Sequence, residues 1–437
     1  MEPQPKNASQ RLLDIIRRNR HSEKVGVYAV CSAHPSVIAA SVRQAVEDGS
    51  VLHVESTSSQ VNQVGGYTGQ TPSQFAEFVH SAARRASLPQ ERVLLGADHL
   101  GPYPWREQPA EAAMQNACEL ARACVFAGYN KIHLDASMAC ADDGQSGPDE
   151  STIAKRAAIL CRAAESAFEK LPPSSPLLYV IGTEVPPPGG ESLPGAPPAV
   201  SPAGQIPHTL ELFRAAFDEQ KVSAAWERVI GMVVQPGVEF GENAILDYDR
   251  QKAKALSPAL PKHPALVYEA HSTDYQLPAA LGQMVEDHFA ILKVGPWLTF
   301  AFREAVFALG AMEQELIGNR KGVRLSQVRE ALDAAMLRDP TYWRSYYHGS
   351  VDEIRLARLY SYSDRCRYYW GDAAVQHELG QLRANVDASP PPPTLVSQHL
   401  PLQYEATRSG RLQARAEDMI QAHIRDVLRI YAAACGE

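Results

Sequence analysis

The sequence predicts an α/β fold, a (β/α)8 TIM barrel with a helical C-terminal extension. Eight short segments rich in β-branched and other apolar residues recur between residues 25 and 296, with helical patterns between them. Most of these segments are apolar almost throughout, which is typical of parallel strands buried on both faces. An open doubly wound sheet would use the same alternation of strands and helices, and it is the alternative to the barrel.

Each predicted element follows from local signals. Residues 71–88 begin with Thr71 as a helix cap and Pro72 at the first helical position. Residues 110–128 end at Gly128, a candidate C-cap, and residues 148–171 keep an apolar stripe at helical spacing. The predicted strands are 25–32, 51–57, 93–99, 131–137, 178–184, 229–237, 265–272 and 289–296.

Beyond the last predicted strand the pattern becomes helical only. We therefore expect a barrel over residues 1–317 and a helical extension over residues 318–437. Two proline-rich segments interrupt these regions. Residues 185–202 follow the fifth strand and form either a lid or a flexible surface insertion, and residues 389–394 are expected to be a stiff extended spacer.

Composition excludes several classes of function. The chain has 437 residues, of which 45% are hydrophobic and 21% charged, and its net charge of −8 makes nucleic acid an unexpected partner. Its seven cysteines are scattered and include no C-x-x-C pair, which argues against a disulfide scaffold and for a reducing cytoplasm. The sequence has no signal-peptide pattern and no membrane-length apolar run, so we expect a cytoplasmic protein with no membrane partner. A homo-oligomer remains open.

Polar residues recur at the carboxyl ends of the predicted strands. Such ends converge on one mouth of a barrel, where barrel enzymes carry their active sites. A single strand-end His or Asp is more often a loop cap, but many unpaired buried carboxylates would be costly, so a shared ligand explains the set better. The residues are Cys31, Ser32, His34, Glu55, Ser56, Asp98, His99, Asp135, Ser137, Glu184, Gln235, Glu269, His271 and Lys293.

Imidazoles and carboxylates from separate strands form the ligand set of a divalent metal with open positions for substrate. The candidate ligands are His99, Glu184 and His271, with Gln235 as a weaker one. These donors suit Zn, Mn, Co or Ni, and the lack of a cysteine cluster argues against a structural zinc. His133 lies deeper on its strand and is interpreted as a packed, hydrogen-bonded core histidine.

Four further strand-end residues are catalytic candidates. Lys293 is either an electrostatic clamp for an anionic substrate, a Schiff-base former, or a structural lysine paired with Glu269 or Asp135. Asp98 and Asp135 are candidates for acid–base catalysis, and their alternative role is to orient His99. Glu269 is the fourth catalytic candidate.

The loop after the second strand, residues 58–72, is rich in glycine and amides. Gln60 and Asn62 suit hydrogen bonding to sugar hydroxyls, and the backbone at Gly65 and Gly66 suits a phosphate. A flexible surface loop is the alternative. With the strand-end residue that precedes it, this segment supplies the substrate-binding candidates Glu55, Gln60, Asn62, Gly65 and Gly66.

Long motifs across nearly the whole chain resemble one family, the tagatose-bisphosphate aldolase subunits called GatZ or KbaZ. The match extends into the C-terminal region through YSYSDRCRYYW (360–370) and SQHLPLQYE (397–405). The other motifs that carry it are CSAHPSVIAA, ESTSSQVNQVGGYTGQTP, ADHLGP, KIHLDASM, YVIGTEVPPPGG, VVQPGVEF, YEAHSTDYQ and FAILKVGPWLTFAFREA.

The resemblance implies a class II aldolase-like barrel acting in the tagatose 6-phosphate branch of galactitol catabolism. In this family the subunit is regarded as non-catalytic, and it supports a smaller catalytic aldolase subunit that holds the zinc. Some relatives are described as metal-dependent epimerases that interconvert fructose 6-phosphate and tagatose 6-phosphate at C4. Others carry the label tagatose 6-phosphate kinase.

The resemblance also bears on individual residues. Asp98 and His99 match the Asp-His pair that follows the third strand in catalytic class II aldolases, and His271 matches their seventh-strand ligand. Their sixth-strand histidine has no counterpart here, where the sequence offers Gln235. This departure places an aldolase-type zinc site in doubt, but it leaves open a different metal bound through Glu184.

The aldolase phosphate loops would correspond to Ser272, Thr273 and Gly295. The predicted function is therefore a subunit of D-tagatose-1,6-bisphosphate aldolase that acts on sugar phosphates and supports a catalytic partner subunit. The alternative is a stand-alone, metal-dependent ketohexose-phosphate 4-epimerase that works by retro-aldol and aldol steps. A kinase is not expected, since the sequence has no G-x-x-x-x-G-K-[ST] loop.

Overall fold

The computed structural model describes residues 6–144, 147–172, 175–183, 198–261 and 265–436. Its centre is a closed barrel of eight parallel strands, in which each strand pairs with its neighbours in sequence and the last pairs with the first. The predicted barrel is confirmed. The strands are β1 Val27–Val30, β2 Leu52–Thr57, β3 Val93–Leu100, β4 Lys131–Leu134, β5 Leu178–Gly182, β6 Val229–Val233, β7 Val267–Ala270 and β8 Ile291–Val294.

Helices surround the barrel and form the C-terminal region. Those that precede or alternate with the strands are α1 Ala8–Arg20, α2 Pro35–Asp48, α3 Pro72–Arg85, α4 Ala110–Phe126, α5 Glu150–Phe168, α6 Ile206–Glu219, α7 Ser223–Trp226, α8 Arg250–Ala253, α9 Leu256–Ala259, α10 Pro278–Glu286 and α11 Pro296–Ile317. Those that follow are α12 Val328–Arg338, α13 Val351–Tyr360, α14 Ala373–Ala388, α15 Pro393–His399, α16 Tyr404–Arg408 and α17 Ala416–Ala434. None of the described helices is long and apolar enough to cross a membrane.

The helix signals in the sequence work as expected. The Thr71 hydroxyl accepts a hydrogen bond from the Gln74 backbone N–H, and the Gln74 side chain accepts one from the Thr71 N–H, so a capping box starts α3. Gly128 follows α4 with φ of +87°, the left-handed conformation that glycine adopts without steric penalty. These local signals fix where the helices begin and end between the strands.

Helix α1 closes the amino-terminal end of the barrel. Its Leu12 and Ile16 are buried in a cluster with inward-facing strand residues, among them Leu94, Ile230 and Ile291. Apolar contact at this end keeps water out of the barrel interior from below. The opposite, carboxyl-terminal end of the strands is therefore the end through which small molecules enter.

The C-terminal helices pack directly on the barrel. Helix α17 lies against α2 and α11, and the Tyr431 hydroxyl donates a hydrogen bond of 2.7 Å to the Thr273 carbonyl just after β7. Residue 318 stays a proposed boundary, because α11 ends at Ile317. The helices beyond it nevertheless share a continuous apolar core with the barrel.

The structure tests one of the two predictions about proline-rich segments, and most of the other segment lies outside the described residues. The expected stiff spacer at 389–394 is wrong at its last two residues, because α15 begins at Pro393, where proline suits the first helical position. Most of the lid candidate, 185–202, falls within residues 184–197, which lie outside the described residues.

Candidate active site

A backbone irregularity presents Asp98 and His99 side by side at the end of β3. The pairing of β3 with β4 shifts register between Ala97 and Leu100, so the strand bulges at these two residues. His99 has a φ of +46°, in the left-handed region that residues other than glycine seldom adopt. In a regular strand neighbouring side chains point to opposite faces, whereas here both reach the interior of the barrel mouth.

Three histidine rings meet at this point. The ring centroids of His99 and His271 are 4.9 Å apart, those of His133 and His271 are 5.0 Å apart, and those of His99 and His133 are 5.3 Å apart. Nδ1 of His99 lies 2.8 Å from Oδ2 of Asp135, and its Nε2 lies 3.8 Å from Oδ2 of Asp98. Nδ1 of His133 lies 3.1 Å from Oδ1 of Asp98, while its buried Nε2 has no hydrogen-bond partner in the described structure.

Beneath the histidines lies a fully buried network of two lysines and two glutamates. Nζ of Lys131 lies 2.5 Å from Oε1 of Glu55 and 2.6 Å from Oε2 of Glu269. Lys293 forms an ion pair with Glu55, and its Nζ lies 2.8 Å from Oδ1 of Asp98 and 3.5 Å from Oε1 of Glu269. The network fixes the acids from below and supports Asp98 at the floor of the mouth.

Glycine makes room for this network. Gly96 pairs with Glu55 across β2 and β3, and a Cβ at Gly96 would lie 2.7 Å from Cγ of Glu55. Any larger residue would push the glutamate away from the lysines that neutralise it. Gly96, which directly precedes the ADHLGP motif, is therefore needed for the charged network.

The charges of these groups depend on one another. Burial alone raises the pKa of Asp98, but His99 and Lys293 lower it more, so it lies well below its usual range. Burial likewise opposes charge on Lys293, yet Asp98 and the neighbouring acids raise its pKa well above the ordinary value. Burial lowers the pKa of His271 to about 4, so its ring is neutral near pH 7 and keeps a free lone pair.

The arrangement fits a divalent cation. Each of Asp98, His133, Glu269 and His271 places one ligand-type atom within 4.8 Å of the others. The four acids Glu55, Asp98, Asp135 and Glu269 outnumber the ammonium groups of Lys131 and Lys293. Burial opposes charge on His99, but Asp98 and Asp135 raise its pKa, so this imidazole balances part of the remaining negative charge. The partnerless Nε2 of His133 adds an imidazole donor to a carboxylate set.

The cluster opens into a cavity of about 420 Å³. One wall is the barrel mouth, including Asp98, His99, His271 and Lys293. The other wall comes from the C-terminal region, and its residues are Thr341, Tyr342, Ser345, Tyr346, Arg365, Arg367 and Tyr368. A cavity of this size and polarity suits a small, highly polar ligand.

Among the predicted metal ligands, the structure brings His99 and His271 together. Gln235 does not join them, because its side-chain oxygen accepts hydrogen bonds from the N–H groups of Gly237 and Val238 and so caps its own loop. Glu184 lies outside the described residues. His133 is buried and hydrogen-bonded as expected, but its partner is Asp98, which makes it part of the site.

Among the predicted catalytic residues, Asp98, Asp135, Glu269 and Lys293 all lie in the cluster. Lys293 pairs with Glu55, Asp98 and Glu269 rather than with Asp135. An ammonium held by three acids is poorly suited to forming a Schiff base, which requires a free amine. Asp135 has the predicted orienting contact with His99.

The loop after β2 is built differently from the expectation. Asn62 accepts hydrogen bonds from Val64 and Gly66 through Oδ1 and donates one to the Ser58 carbonyl, so its amide holds the loop together. The Gly65 N–H donates to the Asn62 carbonyl. The backbone N–H groups of Gly65 and Gly66 are thus engaged within the loop, whereas the prediction left them free to bind a phosphate.

The remaining substrate-binding candidates divide into two groups. Gln60, Asn62, Gly66, Ser272 and Gly295 line the cavity. Glu55 lies below it within the charged network, and Thr273 is fully buried with its hydroxyl donating to the Lys293 carbonyl. The Gly295 N–H already donates to Oδ1 of Asp274 at 3.0 Å, so it is not free for a phosphate.

Sequence reasoning missed the arginines of the cavity wall. Arg365 and Arg367 stand in the YSYSDRCRYYW segment, whose two cations flank a buried cysteine. The segment belongs to no predicted strand, so the sequence does not indicate where it lies, and only the packing of the C-terminal extension over the barrel mouth brings it to the cavity. The one sequence signal for a binding role was the presence of two arginines within an aromatic segment.

The fold and the site together define a (β/α)8 barrel protein with a charged histidine–carboxylate centre. The family described as D-tagatose-1,6-bisphosphate aldolase subunit GatZ/KbaZ-like matches residues 12–436. The chain belongs to this family, and it is thereby a tagatose-bisphosphate aldolase subunit of carbohydrate catabolism.

The chain is similar to several solved structures, and the first of those named here shares its fold. A probable tagatose 6 phosphate kinase from Sinorhizobium meliloti 1021 is 42% identical, covers 94% of this chain and 100% of its own, and superposes with a TM-score of 0.85. Fructose-bisphosphate aldolase from Campylobacter jejuni is 12% identical over 87% of this chain and 93% of its own, with a TM-score of 0.45. The YdjI aldolase from Escherichia coli K12 is 11% identical over 88% and 99%, with a TM-score of 0.40.

Proposed function

We propose that this subunit has its own active site at the barrel mouth and interconverts ketohexose 6-phosphates at C4, as between fructose 6-phosphate and tagatose 6-phosphate. The observation that supports this most is the complete charged cluster of Asp98, His99, His271 and Lys293 opening into a polar cavity. A purely structural subunit gains nothing from burying four acids and two lysines beside three histidines, since such burial is costly.

The chemistry follows from where the stereocentre lies. C4 is not adjacent to the C2 carbonyl, so removal of a proton next to that carbonyl cannot invert it. A base instead takes the proton of the C4 hydroxyl, the C3–C4 bond breaks, and its electron pair passes into the enediolate of dihydroxyacetone. The aldehyde half turns its other face, the bond re-forms, and the proton returns to the C4 oxygen, so atoms and electrons balance without an oxidant.

The residues present suit these steps. Asp98 lies at the cavity floor as a carboxylate, and we assign it the movement of the C4 hydroxyl proton because of its position, although its lowered pKa makes it a weak base. Asp135 orients His99 through the 2.8 Å contact with Nδ1. Lys293 positions Asp98 and adds positive charge beside it.

A divalent metal is the cofactor we propose, with His99, His271, His133, Asp98 and Glu269 as the residues that would hold it. When bound, the ion would supply positive charge against the enediolate. The neutral ring of His271 keeps a lone pair available for such an ion. Burial opposes charge on His99, but Asp98 and Asp135 raise its pKa above the ordinary value, so His99 would release a proton on binding the ion.

A second candidate function is support of a separate catalytic aldolase subunit. The description of the matching family, which names an aldolase subunit, favours it. On this account the chain would show no turnover alone and would raise the activity of its partner. Phosphoryl transfer, the activity in the name of the Sinorhizobium meliloti protein, is not proposed, since the sequence has no P-loop.

The proposal is tested by incubating the purified chain, without a partner subunit, with fructose 6-phosphate and Mn, Co, Ni or Zn. Formation of tagatose 6-phosphate that is lost in His99→Ala and kept in His377→Ala, an exposed helix residue, is the expected result. Inactivity with every metal, relieved only by adding an aldolase subunit, would favour the second candidate. Consumption of tagatose 6-phosphate that requires ATP would contradict both.

A further inference from the structure

Arg365 is a buried cation without a counter-charge. It is only 3% exposed, and its Nη1 donates a hydrogen bond of 3.0 Å to the Tyr342 carbonyl. Its Nε and Nη2 are buried and have no hydrogen-bond partner in the described structure. Its guanidinium stacks on the ring of Tyr346, which orients the planar group but offers it no acceptor.

An arginine in this state indicates a missing anion. Among the described residues, no carboxylate lies within 4.0 Å of the guanidinium of Arg365 or of Arg367, although Arg303 nearby pairs with Asp364. Burial lowers the pKa of Arg365, which reflects the same uncompensated charge. Buried guanidinium groups are normally paired, because an unpaired one loses its hydration without replacement.

Arg367 supplies a second cation, held at a fixed angle. Its guanidinium donates hydrogen bonds to the carbonyls of Ser363 and Asp364, and its Nη2 donates one of 2.9 Å to the Tyr368 hydroxyl. It also lies over the Tyr368 ring, 4.4 Å from the centroid. These contacts fix its position without neutralising it.

We infer that Arg365 and Arg367 bind the phosphate group of the sugar phosphate while its carbon chain reaches the histidine–carboxylate cluster. Both arginines line the same cavity as His99 and His271. Guanidinium groups bind phosphate through paired N–H donors, and the two unsatisfied nitrogens of Arg365 are such donors. The inference rests on the proposed function for the identity of the ligand. Because both arginines belong to the C-terminal helical extension, this extension would supply part of the substrate-binding site.

Backbone sites for phosphate are already occupied by the protein itself. The N–H groups of Gly295 and Trp297, at the start of α11, donate to Oδ1 of Asp274 at 3.0 and 2.8 Å. The N–H groups of Gly65 and Gly66 donate to Asn62. In the described part of the cavity, Arg365 offers two buried donors without a partner, and Arg365 and Arg367 together offer charge that no carboxylate pairs with.

Calorimetric titration with fructose 6-phosphate and with fructose separates this site from the chemistry. We expect wild-type protein to prefer the phosphorylated sugar, and Arg365→Met and Arg367→Met to weaken fructose 6-phosphate binding about 10- to 100-fold with fructose binding unchanged. Arg365→Lys keeps the charge but loses the paired N–H donors of the guanidinium, so its affinity for fructose 6-phosphate should lie between those of wild type and Arg365→Met. It replaces the methionine variant in the test if that variant fails to fold. Arg355→Met, an exposed arginine on α13, is the charge-matched control and should bind as wild type.

Three results would overturn the inference: a wild type without preference for the phosphorylated sugar, variants that bind fructose 6-phosphate within about threefold of wild type, or equal weakening of both sugars. The outcomes are independent of turnover. A chain that binds fructose 6-phosphate through Arg365 but makes no tagatose 6-phosphate contradicts the proposed function alone. An active epimerase whose Arg365→Met variant keeps its phosphate preference contradicts this inference alone.

Discussion

Nδ1 of His99 lies 2.8 Å from Oδ2 of Asp135, across the neighbouring strands β3 and β4. The contact orients the His99 ring and places its Nε2 toward the cluster, 3.8 Å from Oδ2 of Asp98. It requires the bulge at the end of β3, since a regular strand would turn His99 away. The strain at His99 therefore produces the geometry on which the candidate metal centre depends.

Removing the orienting carboxylate should weaken metal binding without removing a ligand. For Asp135→Ala we expect the affinity for a divalent metal to fall about 10- to 100-fold, because His99 loses its fixed ring orientation. Competition with a chromophoric chelator measures this. Asp352→Asn, at an exposed position on α13, should have wild-type affinity, and an Asp135→Ala variant of undiminished affinity would show that the contact has no such role.

Loss of a ligand should have a larger effect than loss of its orientation. His99→Ala and His271→Ala should reduce bound metal from one ion per chain to near none at micromolar metal, since each removes an imidazole donor. Elemental analysis after gel filtration gives the stoichiometry, with His377→Ala as the control. Full metal content in both site variants would place the ion elsewhere.

The charged floor predicts an unusual sensitivity at a glycine. Gly96→Ala should destabilise the fold by about 1–3 kcal/mol, because its Cβ would meet Glu55 while two lysines hold that side chain in place. Chemical denaturation measures the free energy of unfolding. Gly310→Ala in α11, where a Cβ meets nothing within 4 Å, should instead stabilise by about 0.5–1 kcal/mol. Equal effects at both positions would contradict the steric argument.

Asp274 predicts a pH dependence of stability. Burial raises its pKa to about 6, above the ordinary 3.8, so the folded state binds its proton more tightly than the unfolded state. Its contribution to stability is therefore complete below about pH 4 and is lost as the pH rises through 6. Asp274→Asn keeps an acceptor for Gly295 and Trp297 without the charge, so it should gain up to about 3 kcal/mol relative to wild type between pH 4 and 7. A difference that stays constant over this range would refute the shift.

Asp98 should be needed for proton transfer during turnover, in addition to its contribution to the fold and to metal binding. Asp98→Asn should lower the epimerisation rate by a factor of about 10² to 10⁴, the usual contribution of a positioned proton-transfer group. Circular dichroism and metal content establish whether the fold and the centre survive. Turnover within a few-fold of wild type would assign the proton movement to another group.

The sequence was sufficient for the barrel but only partly for the site. Eight apolar segments and their helix signals predicted the strands, and the carboxyl-end rule gathered Asp98, His99, Asp135, Glu269, His271 and Lys293 correctly, since both depend on local pattern and topology. Gln235 also lies at the end of a strand, yet its side-chain amide accepts hydrogen bonds from its own loop. The local backbone geometry determines this, and the residue type does not reveal it.

Other parts of the site depend on contacts between distant segments. His133 was expected to be buried, and the sequence did not show that the bulge in β3 would bring Asp98 onto it. Arg365 stands in a helical extension with no strand pattern to orient it, and its role emerges only when that extension covers the mouth. Long-range packing, rather than propensity, determines these positions.

Epimerisation of fructose 6-phosphate carrying deuterium at C4, by the purified chain with its metal, tests the central claim most directly. Cleavage of the C3–C4 bond leaves the C4 hydrogen on the aldehyde carbon throughout, so the account predicts tagatose 6-phosphate that retains deuterium at C4. Formation of no tagatose 6-phosphate, or of product with solvent hydrogen at C4, would contradict it.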